Sequence, residues 1–243
     1  MWRGYSSTIT TLHRWNKEEM RKMTFKSMNA DEFKEKLKEA TTKATKVIRK
    51  INEARNKKRK EREYEYEATL NAQIYHQLLL SGVSDREILF ENKPSLEEYG
   101  DKHIDLWFEC DDGDDVLIEV KSILKLKKRG FGFRKNDLLK NRKDKAGIIE
   151  DIIKLLGITK QFKTQKEREG EIYGIVIVSY FGDEYSNGIT NSEETELIKQ
   201  INQELKYEMK ERKMSNKIDP DLVKVLLSFP GSNRDSKYYN LDL

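Results

Sequence analysis

The sequence predicts an α/β fold with a mixed sheet, and three of its features carry that expectation. A strand-turn-strand passage, "HIDLWFECDDGDDVLIEVKS", runs from His103 to Ser122. A nearly continuous apolar run, "IYGIVIVSYFG", reads as a strand buried on both faces. Segments of helical periodicity stand before, between and after these two, so the order is helix, three strands, helices, strand, helix and a possible last strand.

The first helix opens at "NADEF", where Asn29 is placed as N-cap and Glu32 three residues later completes a capping-box pattern. Behind it Phe33, Leu37, Ala40, Ala44, Val47, Ile51 and Ala54 alternate spacings of four and three, a narrow seam of coiled-coil type. Such a seam needs a partner. Two candidates are the same helix of a second subunit and a later helix over 193–213, whose Leu197, Ile201, Leu205 and Met209 also line one face. Residues 1–60 are therefore read as an N-terminal helical arm through which the chain forms a homodimer, and 61–243 as the main domain.

"RNKKRKERE", from Arg55 to Glu63, has no apolar seam and suits a solvated helix surface or a hinge. "YEYEATLNAQIYHQLLLSG" forms a second helix or a continuation, with Leu70, Ile74 and Leu78 on one face and Gly82 as its stop. The period then changes. "REILF" and "HIDLWFE" read as strands, "DDGD" carries the Asp-Gly signal of a tight hairpin, and "VLIEVKSI" returns as the third strand. Between Leu124 and Lys145 ten Lys and Arg residues face two Asp, a local charge of +8 that does not belong in a core. "AGIIEDIIKLLG" and "TKQFKTQKEREG" predict two short helices ahead of the buried strand, and "LVKVLLSFP" a possible strand near the end.

Composition narrows the function classes. With 243 residues the chain has room for one enlarged domain, and charged residues (37%) slightly outnumber hydrophobic ones (36%), which fits long solvated helices or a polyanion-facing surface. The net charge of +4 conceals strong local runs of both signs. A single cysteine, Cys110, allows no intrachain disulfide, and no run approaches the length of a membrane span, so a cytoplasmic, reducing setting is expected. Neither His13 nor His76 has zinc-like spacing to Cys110, and there is no P-loop, GxSxG or dinucleotide fingerprint.

The charges inside the strand pattern call for chemistry. Asp105 shares a strand face with Trp107, opposite Ile104, Leu106 and Phe108; Leu117, Glu119 and Lys121 share a face opposite Ile118 and Val120. If the hairpin register sets Asp105 near Glu119, two carboxylates and a lysine converge. Two close carboxylates repel unless a cation such as Mg²⁺ holds them, and Mg²⁺ takes one or two carboxylates, a backbone carbonyl and several waters. Lys121 would then orient or help deprotonate a water, or neutralise charge on a phosphate. A structural alternative is a cross-strand salt bridge on a solvated sheet face.

"GDKHIDLWFE", a hairpin and "IEVKS" together resemble the PD-(D/E)XK nuclease superfamily, with its restriction-endonuclease-like αβββαβ core and mixed central sheet. The resemblance spans about residues 65–182, with 124–145 as a basic insertion, and departs from the motif in having no proline before Asp105. It implies a metal-dependent nuclease acting on DNA. Asp105, Glu119 and Lys121 take the motif positions, and Asp105, Glu119 and the Val120 carbonyl hold Mg²⁺, for which Mn²⁺ can substitute. Glu67, with Glu65 as second choice, would supply a further acid from the preceding helix to metal and catalysis, and Gln161 or Gln165 a polar group from the following one, with Gln161 preferred. In the basic segment, Lys127, Lys128, Arg129, Arg134 and Lys135 would meet the phosphate backbone, and Phe131 or Phe133 would stack on bases. Duplex or branched DNA is the expected substrate, with RNA open. The rival reading is a non-catalytic DNA-binding or assembly protein that keeps the fold.

Overall fold

The computed structural model describes residues 28–56, 66–92, 94, 102–124, 147–164, 170–181, 190–214, 219–229 and 234–243. Within them lie α1 (Ala30–Asn56), α2 (Tyr66–Leu80), β1 (Ile88–Asn92), β2 (Ile104–Glu109), β3 (Asp115–Leu124), α3 (Ile148–Thr164), β4 (Ile172–Phe181), α4 (Asn191–Glu211), β5 (Val223–Ser228) and β6 (Lys237–Asn240). The six strands form one mixed sheet in chain order. β1, β2 and β3 run antiparallel, β3, β4 and β5 parallel, and β6 closes the far edge antiparallel to β5. The predicted class, α/β with a mixed sheet, is what the chain forms. No helix among the described residues is long and apolar enough to cross a membrane.

Alternation along the strands divides the core into two layers. Leu106, Phe108, Val116, Ile118, Val120, Ile175 and Ile177 pack under α1 and α2, while Trp107, Leu117, Val176, Val178, Val223 and Val225 pack under α3 and α4. β4 is thus buried on both faces, as its unbroken apolar run requires. α3 lies close on it: a β-carbon added to Gly174 would meet Leu155 Cβ and Val223 Cγ2, each at 3.0 Å.

α1 starts where the cap signal puts it, with the Glu32 amide donating to Asn29 Oδ1 at 2.9 Å. Its apolar face, however, is not an unpartnered seam. Phe33 stacks on Phe108 of β2 with ring centroids 3.7 Å apart, and Leu37, Ala40, Ala44 and Ile48 are buried with Leu70, Ile74 and Leu78 of α2. The partner is this chain's own sheet and α2, not the helix over 193–213, and the helix is a layer of the domain. Over its described residues the apolar face of α1 is thus filled from within the chain rather than held out as an arm. The buried stripe is also wider than a coiled-coil seam, because Thr41, Thr42 and Thr45 are buried too. Hydroxyl bonds from Thr42 to the Lys38 carbonyl and from Thr45 to the Thr41 carbonyl make the burial of those two tolerable.

Gly82 ends α2 as expected: it adopts φ 87°, and the Gly82 and Val83 amides donate to the Leu79 and Leu78 carbonyls. The Asp-Gly signal marks a turn closed by the Cys110 amide on the Asp114 carbonyl, with Gly113 at φ 86°. Asp112 and Asp114 serve the turn rather than a cation, Asp112 accepting from the Asp114 amide and Asp114 from the Glu171 amide. Two predicted short helices are instead one, α3, which runs straight through Gly157. A mid-helix glycine costs about 1 kcal/mol against alanine. Burying Ile148, Ile149, Ile152, Leu155, Leu156 and Ile158 along the same helix outweighs it.

Candidate active site

The β2–β3 register is the first fact about the site. Its pairs run from Glu109↔Asp115 to Leu106↔Ile118, and one step further the same register sets Asp105 opposite Glu119. There the ladder gives way. Instead of a backbone carbonyl, Asp105 Oδ2 accepts the Val120 amide at 2.8 Å. The amide and carbonyl of one strand residue point to the same side, so the Val120 carbonyl faces the same opening. On the other side of Asp105, the β1–β2 register brings Glu91, the one residue skipped between Phe90↔Leu106 and Asn92↔Ile104. Glu91 has φ 44°, a left-handed conformation costly for a residue with a β-carbon, and its carbonyl is 3.0 Å from His103 Nδ1.

Glu119 and Lys121 lie on the face covered by α3, and α3 answers them with two charged side chains. Lys154 Nζ donates to Glu119 Oε1 at 2.5 Å and to the His103 carbonyl at 3.1 Å. Asp151 stands between the lysines, its Oδ2 3.2 Å from Lys121 Nζ and its Oδ1 3.7 Å from Lys154 Nζ. Glu67, in the first turn of α2, approaches Lys121 from the other layer at 3.7 Å. Lys121 therefore spans the sheet between the two helix layers. Glu119 and Asp151 are 3% and 1% exposed, so this is a buried ion network and not a solvated sheet face.

Four carboxyl groups, Glu67, Asp105, Glu119 and Asp151, thus surround two ammonium groups. Burial raises the Glu119 carboxyl to about 8; Lys154 opposes the rise, and Asp151 and Asp105 add to it. Asp151 is likewise raised by burial, against the pull of Lys121 and Lys154. For Lys121 burial acts downward, but Asp151, Glu67, Glu119 and Asp105 together lift it above the ordinary lysine value. Lys121 is an ammonium ion here at any physiological pH.

A cleft of about 450 Å³ opens beside this network, lined by Glu67, Tyr75, Phe90, Asp105, Val120 and Lys121 among others. Tyr75 and Phe90 meet edge to face at 4.5 Å, and Phe90 leaves 44% of its surface exposed. Aromatic surface and a lysine thus share one wall with Asp105.

Of the residues singled out from the sequence, Asp105, Glu119, Val120, Lys121 and Glu67 come together. Gln161 does not join them. It lies on α3 ten residues beyond Asp151, about 15 Å further along the helix axis. Lys127, Lys128, Arg129, Phe131, Arg134 and Lys135 fall outside the described residues, as do Phe133, Gln165 and Glu65. Asp151 and Lys154 were missed. Their signal was present in "GIIEDIIKLLG", an acid and a lysine three apart within a helix otherwise apolar on nearly every side.

The donor set has the chemistry for a hard cation. Asp105 and Glu119 each keep one carboxylate oxygen, Oδ1 and Oε2, without a hydrogen-bond donor among the described residues. Among those residues no three His, Cys, Asp or Glu side chains form a closed cage. An ion that needs only one or two carboxylates and keeps its waters, such as Mg²⁺, fits two carboxylates and a backbone carbonyl. Comparison of the chain with protein-family models, curated proteins and solved structures finds no match, so any functional reading rests on this geometry.

Proposed function

We propose that this chain is a Mg²⁺-dependent nuclease that hydrolyses phosphodiester bonds in DNA, built on a PD-(D/E)XK core, with Mn²⁺ able to substitute. The observation that carries the reading is the convergence of Asp105, Glu119 and Lys121 where β2 and β3 part, beside an open cleft. The element order supports it as well: α2, antiparallel β1, β2 and β3, then α3 and parallel β4 follow the αβββαβ scheme.

In this reading Asp105, Glu119 and the Val120 carbonyl hold the cation, which when bound polarises the phosphate and lowers the pKa of water. Lys121, kept protonated by its acidic neighbours, donates to the phosphate oxygens and offsets the charge that develops on them. It would also assist the attacking water. Glu67 holds Lys121 from the α2 side. The basic segment 124–145 follows β3 directly and would track the phosphate backbone.

A second reading, a non-catalytic DNA-binding or assembly protein of the same fold, draws on one observation: Glu119 is already met by Lys154 and Asp151 by Lys121, as in a purely structural network. Metal dependence separates the two. Linear duplex, single strand, flap, four-way junction and supercoiled plasmid are incubated with Mg²⁺, Mn²⁺ or EDTA and wild type, Asp105→Ala, Glu119→Ala or Lys121→Ala. The nuclease reading expects cutting that needs metal and is lost in all three variants, with folding checked by circular dichroism. Binding without cutting, equal in all four proteins, rejects it in favour of the second.

A further inference from the structure

Asp105 and Glu119 are anchored alike. Each has one oxygen fixed by an internal donor, the Val120 amide for Asp105 and the Lys154 ammonium for Glu119, and each has a second oxygen with no such donor among the described residues. Lys154 is itself held from two more directions, by the His103 carbonyl at 3.1 Å and by Asp151 Oδ1 at 3.7 Å. The spacing of three puts Asp151 and Lys154 on one face of α3, where their neighbours Ile148, Ile152 and Leu155 are buried.

For stability alone this is a poor arrangement. Replacing a buried ion pair by well-packed apolar side chains is often neutral or stabilising, and α3 is already apolar around it. What the network does accomplish is to fix a carboxylate. A side chain with three rotatable bonds, Glu119, is left with one oxygen immobilised and the other in a set direction, as outer-layer partners of metal ligands generally do.

We propose that Lys154 is a positioning residue for the metal ligand Glu119, holding Oε1 so that Oε2 is left for the cation, with Asp151 keeping the Lys154 ammonium in place. The inference rests on the metal-dependent reading above and adds to it a helix that the motif residues do not include. Asp151 has a second connection, to Lys121, so one acid on α3 keeps both lysines in register with the site.

The test reads metal affinity, not cleavage. Mn²⁺ binding to the full chain is followed by electron paramagnetic resonance and by calorimetry for wild type, Glu119→Gln, Lys154→Met, Lys154→Arg and Asp151→Asn. Expected results are saturable binding in wild type, its loss in Glu119→Gln, and a weakening of about tenfold to a hundredfold in Lys154→Met. Lys154→Arg restores part of the affinity. Asp151→Asn weakens binding less than Lys154→Met, because the His103 carbonyl still holds the ammonium. If Lys154→Met does not fold, Lys154→Gln, which keeps a neutral donor, replaces it, with an expected affinity between wild type and Glu119→Gln. Folded Lys154→Met or Lys154→Gln that binds Mn²⁺ as tightly as wild type, or more tightly, overturns the inference and makes Lys154 a counter-ion that the metal displaces. Absence of saturable binding in wild type overturns the metal-dependent reading itself.

Discussion

Asp105 Oδ2 accepts the backbone amide of Val120 at 2.8 Å, so a side chain closes the β2–β3 ladder where a main-chain carbonyl would otherwise stand. The strands part at that point, and the parting creates the opening onto which the cleft faces. One carboxylate is thus both a structural stop and a candidate ligand.

The two roles separate in Asp105→Asn. An amide oxygen still accepts the Val120 amide, so the fold survives and the melting temperature moves by only a few degrees. The negative charge is gone, and on the proposed nuclease reading metal-assisted hydrolysis, worth several kcal/mol, should fall about a hundredfold or more. Thermal denaturation and cleavage rates measured side by side check this: equal losses of cleavage in Asp105→Asn and Asp105→Ala, with the larger drop in melting temperature in Asp105→Ala, are the expected pattern.

Titration of Glu119 should make the metal-free protein less stable as pH rises. Burial lifts Glu119 from 4.5 to about 8, so the folded chain binds a proton more tightly than the unfolded chain does. Between those two values the folded state holds more protons, and the sign of linkage makes unfolding easier with each step upward in pH. Urea midpoints of the metal-free protein should fall from about pH 4.5 to about pH 8. Glu119→Gln, which does not titrate, should reduce that slope and leave the part due to Asp151, whose carboxyl burial also raises. Added Mg²⁺ favours the ionised carboxylate and should recover more stability at pH 8 than at pH 6.

Phe33→Ala tests whether α1 belongs to the domain. Phe33 is fully buried and stacked on Phe108, so the loss of its ring should cost about 3–5 kcal/mol, a large share of the roughly 5–15 kcal/mol of a typical domain. A detachable arm would instead leave the unfolding transition of the remainder unchanged. Denaturant unfolding followed by tryptophan fluorescence is informative here, since Trp107 is next to Phe108 in β2.

Much of this architecture was legible because backbone periodicity and turn chemistry are local. The Asn29 cap, the Gly82 stop, the Asp-Gly turn and the doubly buried β4 are written in a few adjacent residues each. The meeting of Asp105 with Glu119 was legible too, since a hairpin of known turn has few registers. Other features depend on distant partners. α1 has the spacing of a coiled-coil seam, and only the presence of Phe108 and Leu70 reveals that sheet and helix fill it. Gly157 looks like a breaker until the burial around it is counted. β6, with four residues of low burial at a sheet edge, carries almost no apolar signal. Asp151 and Lys154 look like an ordinary exposed pair three apart, and what marks them is the apolar setting on both sides. Gln161 has suitable chemistry on the right helix, but the helix runs away from the site before reaching it.

Ten consecutive parallel pairs, Asp115↔Ile172 to Leu124↔Phe181, bind β3 to β4 over the whole length of both strands. Strands so tied are the last part of a domain to open, and their amides the slowest to exchange hydrogen for deuterium. Glu119 and Lys121 are mounted on that stiff element. Yet the amide between them is secured by a carboxylate from the neighbouring strand and not by the ladder. Set against the ladder-bonded amides of β3, the exchange of the Val120 amide therefore reports what happens to Asp105, and a backbone position becomes a probe of the site's charge.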